Sequence, residues 1–201
     1  MKSATVCVSS EESGIREALT MTEKCGTEQG LDQKSNLRLR LLSEELLGML
    51  RGIAGKVEAE YWIENENKNF ELHMKADVNL TSEMREQLLA AASSGKNEAA
   101  KSFMGRIRFM IAGVLLSVKE ALPYAMIGAG TACPMGGYAG ENSAVWTMTL
   151  YRENVRKQFG EDPEANEAWD QLEKSIVANI ADDVKVKIVG RNVEIVVCKA
   201  F

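Results

Sequence analysis

The chain has 201 residues, a length that suits one well-filled domain, and its 45% hydrophobic and 26% charged residues are ordinary for a globular protein. The net charge of -5 and the pI near 5.2 argue against a nucleic-acid surface, because phosphate binding needs clustered Lys and Arg. No apolar run approaches the roughly 20 residues of a membrane span, and residues 1–13 contain no signal-peptide apolar segment, so we expect a cytoplasmic protein.

The first predicted elements are a short strand and a helix. Residues 4–9 alternate apolar and polar side chains, which is typical of a strand. Ser9 or Ser10 is then expected to cap a helix over residues 11–29, and Gly30 to end it. The side chains expected to face the core are Ile15, Leu19 and Thr22.

The strongest helical pattern covers residues 37–55. Asp32 is expected to cap this helix and Gly55 to end it. Two adjacent carboxylates, Glu44 and Glu45, lie in its middle. The apolar stripe recurs at steps of three and four, is widened by Leu50, and consists of Leu39, Leu42, Leu46, Met49 and Ile53.

A hairpin and two further helices are predicted next. Residues 57–63 and 70–78 have the composition and alternation of strands, and residues 65–69 that of a turn. Thr81 or Ser82 is expected to cap a helix, and a second helix is expected over residues 97–120. The inward side chains of the hairpin and of this second helix are predicted to be Phe70, Leu72, Met74, Ala76 and Val78, and Phe103, Ile107, Met110 or Ile111, Val114 and Val118.

A change of composition marks residues 123–140, which are rich in glycine and predict a mobile surface loop. A phosphate cradle or a lid is the alternative, although the loop lacks both the Walker A and the GxGxxG patterns. Residues 144–155 carry features of both strand and helix, and we favour a helix. Residues 161–167 predict an acidic turn, and residues 168–181 a helix with Leu172, Ile176 and Ile180 inward.

The last segment carries the clearest β signal. Two alternating runs flank Gly190, Arg191 and Asn192, which predicts a hairpin whose inward residues are Val184, Val186, Ile188, Val193, Ile195 and Val197. Together, the elements predict a single α/β (α+β) two-layer sandwich over residues 1–201. Its mostly antiparallel mixed sheet is covered by helices on one face, and residues 121–145 form an insertion or mobile loop.

The scattered thiols and the single imidazole suggest no catalytic arrangement. No pair among Cys7, Cys25, Cys133 and Cys198 has metal or redox spacing, so free thiols are expected. His73 lies on a predicted strand, and we expect a structural or solvated histidine there.

Two segments resemble the GHKL (Bergerat-fold) ATPase domain of gyrase and histidine kinases, most closely its serine-protein kinase anti-sigma branch. In residues 5–55, a strand, a helix, the link Gly30-Leu31-Asp32 and a helix with a Glu pair follow in the family's order. Residues 175–201, SIVANIADDVKVKIVGRNVEIVVCKAF, are similar to the family's closing helix and two strands. The resemblance implies the family's fold and a nucleotide pocket.

The resemblance also implies site residues, and here the chain departs from the family. The family places a Glu and, four residues later, an Asn that ligates the Mg²⁺ of ATP; Glu44 is followed at that spacing by Gly48, and Glu45 by Met49. We place Glu44 in the catalytic register, with Glu45 as the other candidate. Gly48 and Gly52 would then leave the pocket wall bare, or serve tight helix packing.

The family's adenine-binding Asp corresponds to Asp77, at the end of a predicted strand. Asn79 stands where the next motif has a glycine, and it is a partial substitute because Asn tolerates the left-handed conformation. Thr81 replaces another glycine and is expected to cap a helix.

These departures predict a regulatory protein that binds a protein partner, with nucleotide binding weak, altered or absent. The alternative is an active ATP-dependent serine-protein kinase using ATP and Mg²⁺. By resemblance, the partner would be a sigma factor or an antagonist-like protein, and the protein would be a homodimer. A different small-molecule pocket in the same cavity is a third option.

Overall fold

The structure is a computed structural model that describes residues 1–52, 57–78, 102–115 and 143–201. In chain order the elements are β1 (Val6–Ser9), α1 (Ile15–Glu28), α2 (Gln33–Gly48), a 3-10 turn (Met49–Gly52), β2 (Glu58–Glu66), β3 (Asn69–Asp77), α3 (Phe103–Leu115), β4 (Ser143–Thr147), α4 (Met148–Gln158), α5 (Pro163–Lys174), α6 (Ile176–Ile180), β5 (Asp183–Val189) and β6 (Asn192–Ala200).

The strands form one sheet in the order β1-β2-β3-β6-β5-β4, and each neighbouring pair is antiparallel. The central pair joins β3 to β6 over their full lengths, from Asn69 opposite Ala200 to Asp77 opposite Asn192. The α+β two-layer sandwich expected from the sequence is therefore confirmed.

The two faces of the sheet differ because side chains alternate along each strand. The inner face is buried under helices, with α1 on β1 and β2, α2 on β3 and β6, and α4 on β4 and β5. Its central strands carry the predicted side chains Phe70, Leu72, Met74, Ala76, Val184, Val186, Ile188, Val193, Ile195 and Val197. The alternate residues form the outer face, which is charged and partly exposed.

Helix α2 keeps the predicted stripe and cap but differs in its bounds. Leu39, Leu42, Leu46 and Met49 are all buried, and Asp32 accepts a hydrogen bond from the backbone N–H of Ser35 at 2.7 Å. The α-helix starts at Gln33, since this cap already satisfies its first turn, and it tightens into the 3-10 turn after Gly48. The predicted members Ile53 and Gly55 lie outside the described residues.

Helix α1 starts later than predicted, and neither Ser9 nor Ser10 caps it. Residues 9–13 form a turn in which the backbone N–H of Ser9 bonds to the carbonyl of Ser13, so the chain cannot enter a helix there. The N-cap is Gly14, in a left-handed conformation with φ of 72° and without a side-chain cap. Of the expected inward residues, Thr22 is fully buried, while Ile15 and Leu19 are partly buried against the core.

Both predicted hairpins are confirmed, but their turns are tighter than predicted, because Asn65, Glu66, Asn69 and Asn192 belong to the paired strands. The β2–β3 turn is made by Asn67 and Lys68, which have φ of 51° and 64°, the left-handed pair of a type I′ turn. The β5–β6 turn places Gly190 at φ of 61°. Both turns thus match the right-handed twist of the strands that they connect.

Two helix predictions in the second half need correction. Residues 144–155 are not one helix: β4 runs to Thr147, whose hydroxyl then caps α4 by accepting from the N–H of Leu150. Residues 168–181 do not form one helix either, because Ser175 is extended and caps α6. The break leaves Ile176 46% exposed and turns Val177 inward. The acidic turn is shorter than expected, since Asp162 caps α5.

The prediction for α3 is confirmed over the part that the structure describes. Phe103, Ile107, Ile111 and Val114 are buried, and Met110 packs partly buried against the core. Val118, the helix after Thr81 or Ser82 and the glycine-rich residues 123–140 lie outside the described residues.

A polar cluster lies within the core between α1, α2 and β2. The hydroxyl of Tyr61 lies 2.8 Å from the hydroxyls of both Thr22 and Ser43, and all three residues have no exposed surface. Thr22 also donates to the carbonyl of Ala18, and Ser43 to that of Leu39, within their own helices. The cluster is therefore satisfied internally, as buried polar groups require.

Candidate functional site

The predicted catalytic residue Glu44 takes part in an ion-pair network between α1 and α2. Arg40 donates from Nε to Glu44 Oε1 at 2.9 Å, and its Nη1 pairs with Glu23 of α1. The hydrogen bond to Glu23, and then the one to Glu44, raise the pKa of the Arg40 guanidinium. All three side chains are partly exposed, so the network lies at the surface of the helical layer.

Glu45 lies near a different cation, Arg108. Burial lowers the pKa of the Arg108 guanidinium on α3, and the nearby Glu45 carboxylate opposes that shift. The two glutamates therefore interact electrostatically with different cations.

The glycines of the predicted pocket wall do not share one helical surface. Gly48 is the last residue of α2, whereas Gly52 ends the 3-10 turn. A Cβ built on Gly48 would meet no atom of the described residues within 4 Å, so close packing among those residues does not explain this glycine. With respect to them, the space beside Gly48 is open, as a bare pocket wall requires.

Asp77, the predicted adenine contact, is the last residue of β3 and forms an ion pair with Arg191. Its Oδ2 accepts from Nη2 of Arg191, in the β5–β6 turn, at 3.0 Å. Asp77 alternates with Ala76 of the inner face, so it lies on the outer side of the sheet, away from Glu44. The structure does not bring these two residues together, and Asn79 lies outside the described residues.

The outer face holds a group of side chains that the sequence does not predict as a site, although its histidine, His73, is predicted by itself to be structural or solvated. We define the outer-face cluster as Glu64 of β2, Glu71 and His73 of β3, and Glu194 of β6. The ring of His73 stacks on Trp62, with centroids 4.7 Å apart and planes 9° apart. Strand pairing explains the grouping, because Glu64 stands opposite Glu71 and Trp62 opposite His73. Counting back from the turn at Asn67 and Lys68 would have revealed both pairs.

Cations and an indole N–H surround this cluster. Glu64 Oε1 accepts from Trp62 Nε1 at 3.0 Å and pairs with Lys2 Nζ at 3.1 Å. The Trp62 hydrogen bond and then the Lys2 contact lower the pKa of Glu64. Glu71 Oε1 lies 3.4 Å from Lys185 Nζ.

Cys25 and Cys198 are not activated as nucleophiles. Cys7, Cys25 and Cys198 are free, as predicted, while Cys133 lies outside the described residues. Burial raises the pKa of Cys198 against the opposing effect of Lys185, and burial likewise raises the pKa of Cys25. A raised pKa disfavours the nucleophilic thiolate.

None of the protein-family models, curated proteins or solved structures compared with the chain matches it. The resemblance to GHKL ATPases therefore stays a prediction. Within the described residues, no helix is both long and apolar enough to span a bilayer.

Proposed function

We propose that this chain is a cytoplasmic regulatory protein that acts by binding a protein partner, on an ATPase-like fold whose nucleotide contacts are weak, altered or absent. The observation that carries the proposal is the pairing of the family's two functional carboxylates with arginines. Glu44 is bound by Arg40 at 2.9 Å, and Asp77 by Arg191 at 3.0 Å. Both carboxylates are therefore already paired with cations of this chain.

The missing metal ligand supports the same proposal. Phosphoryl transfer depends on placing the metal and the phosphates, and Mg²⁺ demands oxygen ligands in near-octahedral geometry. Where the family has its Asn, this chain has Gly48, which offers no side-chain oxygen. The open space beside Gly48 leaves room for a ligand or a partner segment without supplying metal chemistry.

Calorimetric titration separates this function from that of an ATP-dependent serine-protein kinase. We expect ATP with Mg²⁺, and ADP with EDTA, to bind only at millimolar nucleotide or not at all, and complete absence of binding would exclude the kinase. Micromolar, magnesium-dependent binding of ATP would contradict the proposal. In that event, Asp77→Ala and Arg191→Ala form a matched pair, because both break the same ion pair and only the first removes the proposed adenine contact.

The partner is tested with purified proteins. By resemblance, we propose a sigma factor or an antagonist-like protein, so each such protein encoded in the same genome is mixed with this chain and analysed by size exclusion with light scattering. A stable complex with one of them supports the proposal, and the chain alone reports whether it forms the expected homodimer. Failure of every pair at micromolar concentration would refute the proposed class of partner.

A further inference from the structure

The outer-face cluster contains a buried imidazole nitrogen that accepts or donates no hydrogen bond among the described residues. His73 is only 9% exposed, and its Nε2 has no hydrogen-bond partner within the described residues. Buried polar atoms without a partner are rare in proteins and call for an explanation such as a bound ion. The residue thus points to a ligand at Nε2.

The other ring nitrogen fixes the chemistry of Nε2. His73 Nδ1 lies 3.4 Å from Glu194 Oε1, which is an acceptor. A proton on Nδ1 satisfies this contact and leaves the lone pair of the neutral ring on Nε2. A carboxylate behind a histidine is the usual outer-shell arrangement of a metal-binding imidazole, because it orients the ring and raises its basicity.

Two carboxylates stand where an ion on Nε2 would find them. Glu71 Oε2 lies 3.7 Å from His73 Nε2, and one ligand atom from each of Glu64, Glu71 and His73 lies within 4.8 Å of the others. An ion about 2.0–2.2 Å from each ligand holds its ligands within about 4 Å of one another. A small rotation of the partly exposed glutamates therefore completes the set.

The existing contacts of Glu71 leave the required oxygen available. Lys185 and Cys198 both contact Oε1, at 3.4 and 3.7 Å, whereas Oε2 faces the imidazole. The Lys2 and Trp62 contacts of Glu64 likewise meet at its Oε1. Each carboxylate can thus keep its structural partners at one oxygen and present the other to an ion.

We propose that Glu64, Glu71 and His73 bind a divalent transition-metal ion of the Zn²⁺ type, with Glu194 as the residue that positions the imidazole. An imidazole ligand suits Zn²⁺, whereas Mg²⁺ and Ca²⁺ take oxygen ligands. Three protein ligands leave one tetrahedral position open. Glu64 and Glu71 also line a groove of about 650 Å³ at the protein surface.

The single histidine makes the test direct. Zinc chloride alone is titrated calorimetrically into the purified chain, and the one imidazole is followed by NMR after ¹⁵N-histidine labelling. We expect about one equivalent of Zn²⁺ to bind at a tetrahedral N/O site and to shift the Nε2 resonance. Mg²⁺ at the same concentration should shift nothing. Absence of zinc binding, or binding that leaves Nε2 unmoved, would overturn the proposal.

Variants assign the ligands. His73→Phe keeps a ring against Trp62, and we expect its affinity to fall by more than the roughly 10- to 100-fold typical of losing an outer-shell partner. Glu194→Gln should lose about 10- to 100-fold and change the tautomer signal of His73 in the metal-free protein. The control is Glu60→Gln, exposed on the same face of β2, which should bind zinc unchanged. Equal affinity of His73→Phe and the unsubstituted chain would refute the site.

Two further measurements keep the result decisive. If His73→Phe does not fold, Glu71→Gln replaces it, since this side chain is 41% exposed, and undiminished affinity there overturns the proposal. Co²⁺ in place of Zn²⁺ reports the ligands, because a bound thiolate gives an intense near-ultraviolet band. Its absence supports nitrogen and oxygen ligands, and its presence would replace the proposed set with one that includes a cysteine. Neither measurement depends on nucleotide or partner binding.

Discussion

Replacing Tyr61 by Phe tests the polar cluster in the core. The substitution removes one hydroxyl, which lies 2.8 Å from both Thr22 and Ser43, and it keeps the ring, so no large cavity forms. Thr22 and Ser43 retain their bonds to helix carbonyls. Because the Thr22 and Ser43 protons go to these carbonyls, the Tyr61 hydroxyl donates to only one of the two residues, and losing that hydrogen bond should lower the free energy of unfolding by about 1 kcal/mol.

In a second background, Tyr61→Phe should change the free energy of unfolding in the opposite direction. In the Thr22→Val, Ser43→Ala double variant, the Tyr61 hydroxyl stays buried without either partner, at a cost of about 1–3 kcal/mol. Adding Tyr61→Phe then removes the unsatisfied group and should raise stability. The change of sign is the decisive outcome, because ring packing is the same in both backgrounds.

Urea unfolding measures both effects. The transition is followed by circular dichroism and tryptophan fluorescence, and a shifted midpoint with an unchanged slope reports a change in stability alone. If Tyr61→Phe destabilises both backgrounds equally, then the hydroxyls do not act as one cluster and the reasoning is refuted.

Alkaline pH gives an independent check on Tyr61. Burial raises its pKa from 10.0 to about 12, even though hydrogen bonds from Ser43 and Thr22 act in the opposite direction. Because the folded pKa lies above the unfolded one, the stabilisation that comes from keeping Tyr61 protonated is fully present below pH 10 and is lost between pH 10 and 12. The loss amounts to about 3 kcal/mol at most. The stability advantage of the unsubstituted protein over Tyr61→Phe should therefore shrink across that window and reverse sign by pH 12.

Two further predictions concern glycines of the backbone and the loss of stability at acidic pH. Gly30→Ala should lower the free energy of unfolding by about 1–2 kcal/mol, which is the cost of placing Ala in the left-handed conformation. Gly14→Ala should lower it clearly more, because the added Cβ would lie 1.9 Å from the carbonyl oxygen of Cys7. Equal losses of stability in urea unfolding would contradict this close approach. Burial raises the pKa of Asp182, but the contact with Lys199 and a backbone N–H outweigh it and hold the pKa below its ordinary 3.8. The stabilisation from ionised Asp182 is present above pH 3.8 and is lost as the pH falls through the folded pKa. The Asp182→Asn variant should therefore be less stable than the unsubstituted protein at pH 7 and should lose less stability on acidification. If the stability of Asp182→Asn falls with acidic pH as steeply as that of the unsubstituted protein, the role assigned to Asp182 is refuted.

The elements predicted best are those with a local physical cause. Asp32 caps α2, and the alternation of the two hairpins determines which of their residues are buried. The elements predicted poorly depend on packing between distant segments. Thr147 ends a strand and caps a helix because β5 pairs with it, and Ser175 interrupts a helix so that Val177 can enter the core.

The candidate sites follow the same division. Glu44 and Asp77 could be found by their order along the chain, but their arginine partners could not, since Arg191 contacts Asp77 only through the pairing of β3 with β6. The outer-face cluster needs three strands in register. Local counting from one turn places Glu64 beside Glu71, but nothing local places Glu194 behind His73.

The position of β6 in the sheet affects how the protein can fold during synthesis. β6 follows every other described element along the chain, yet it lies at the centre of the sheet between β3 and β5. Until residues 192–200 have left the ribosome, both neighbours present unpaired hydrogen-bonding edges, which invite association with other chains. We therefore expect the nascent chain to be most prone to association just before β6 emerges, and a fragment that ends before Asn192 to aggregate rather than fold.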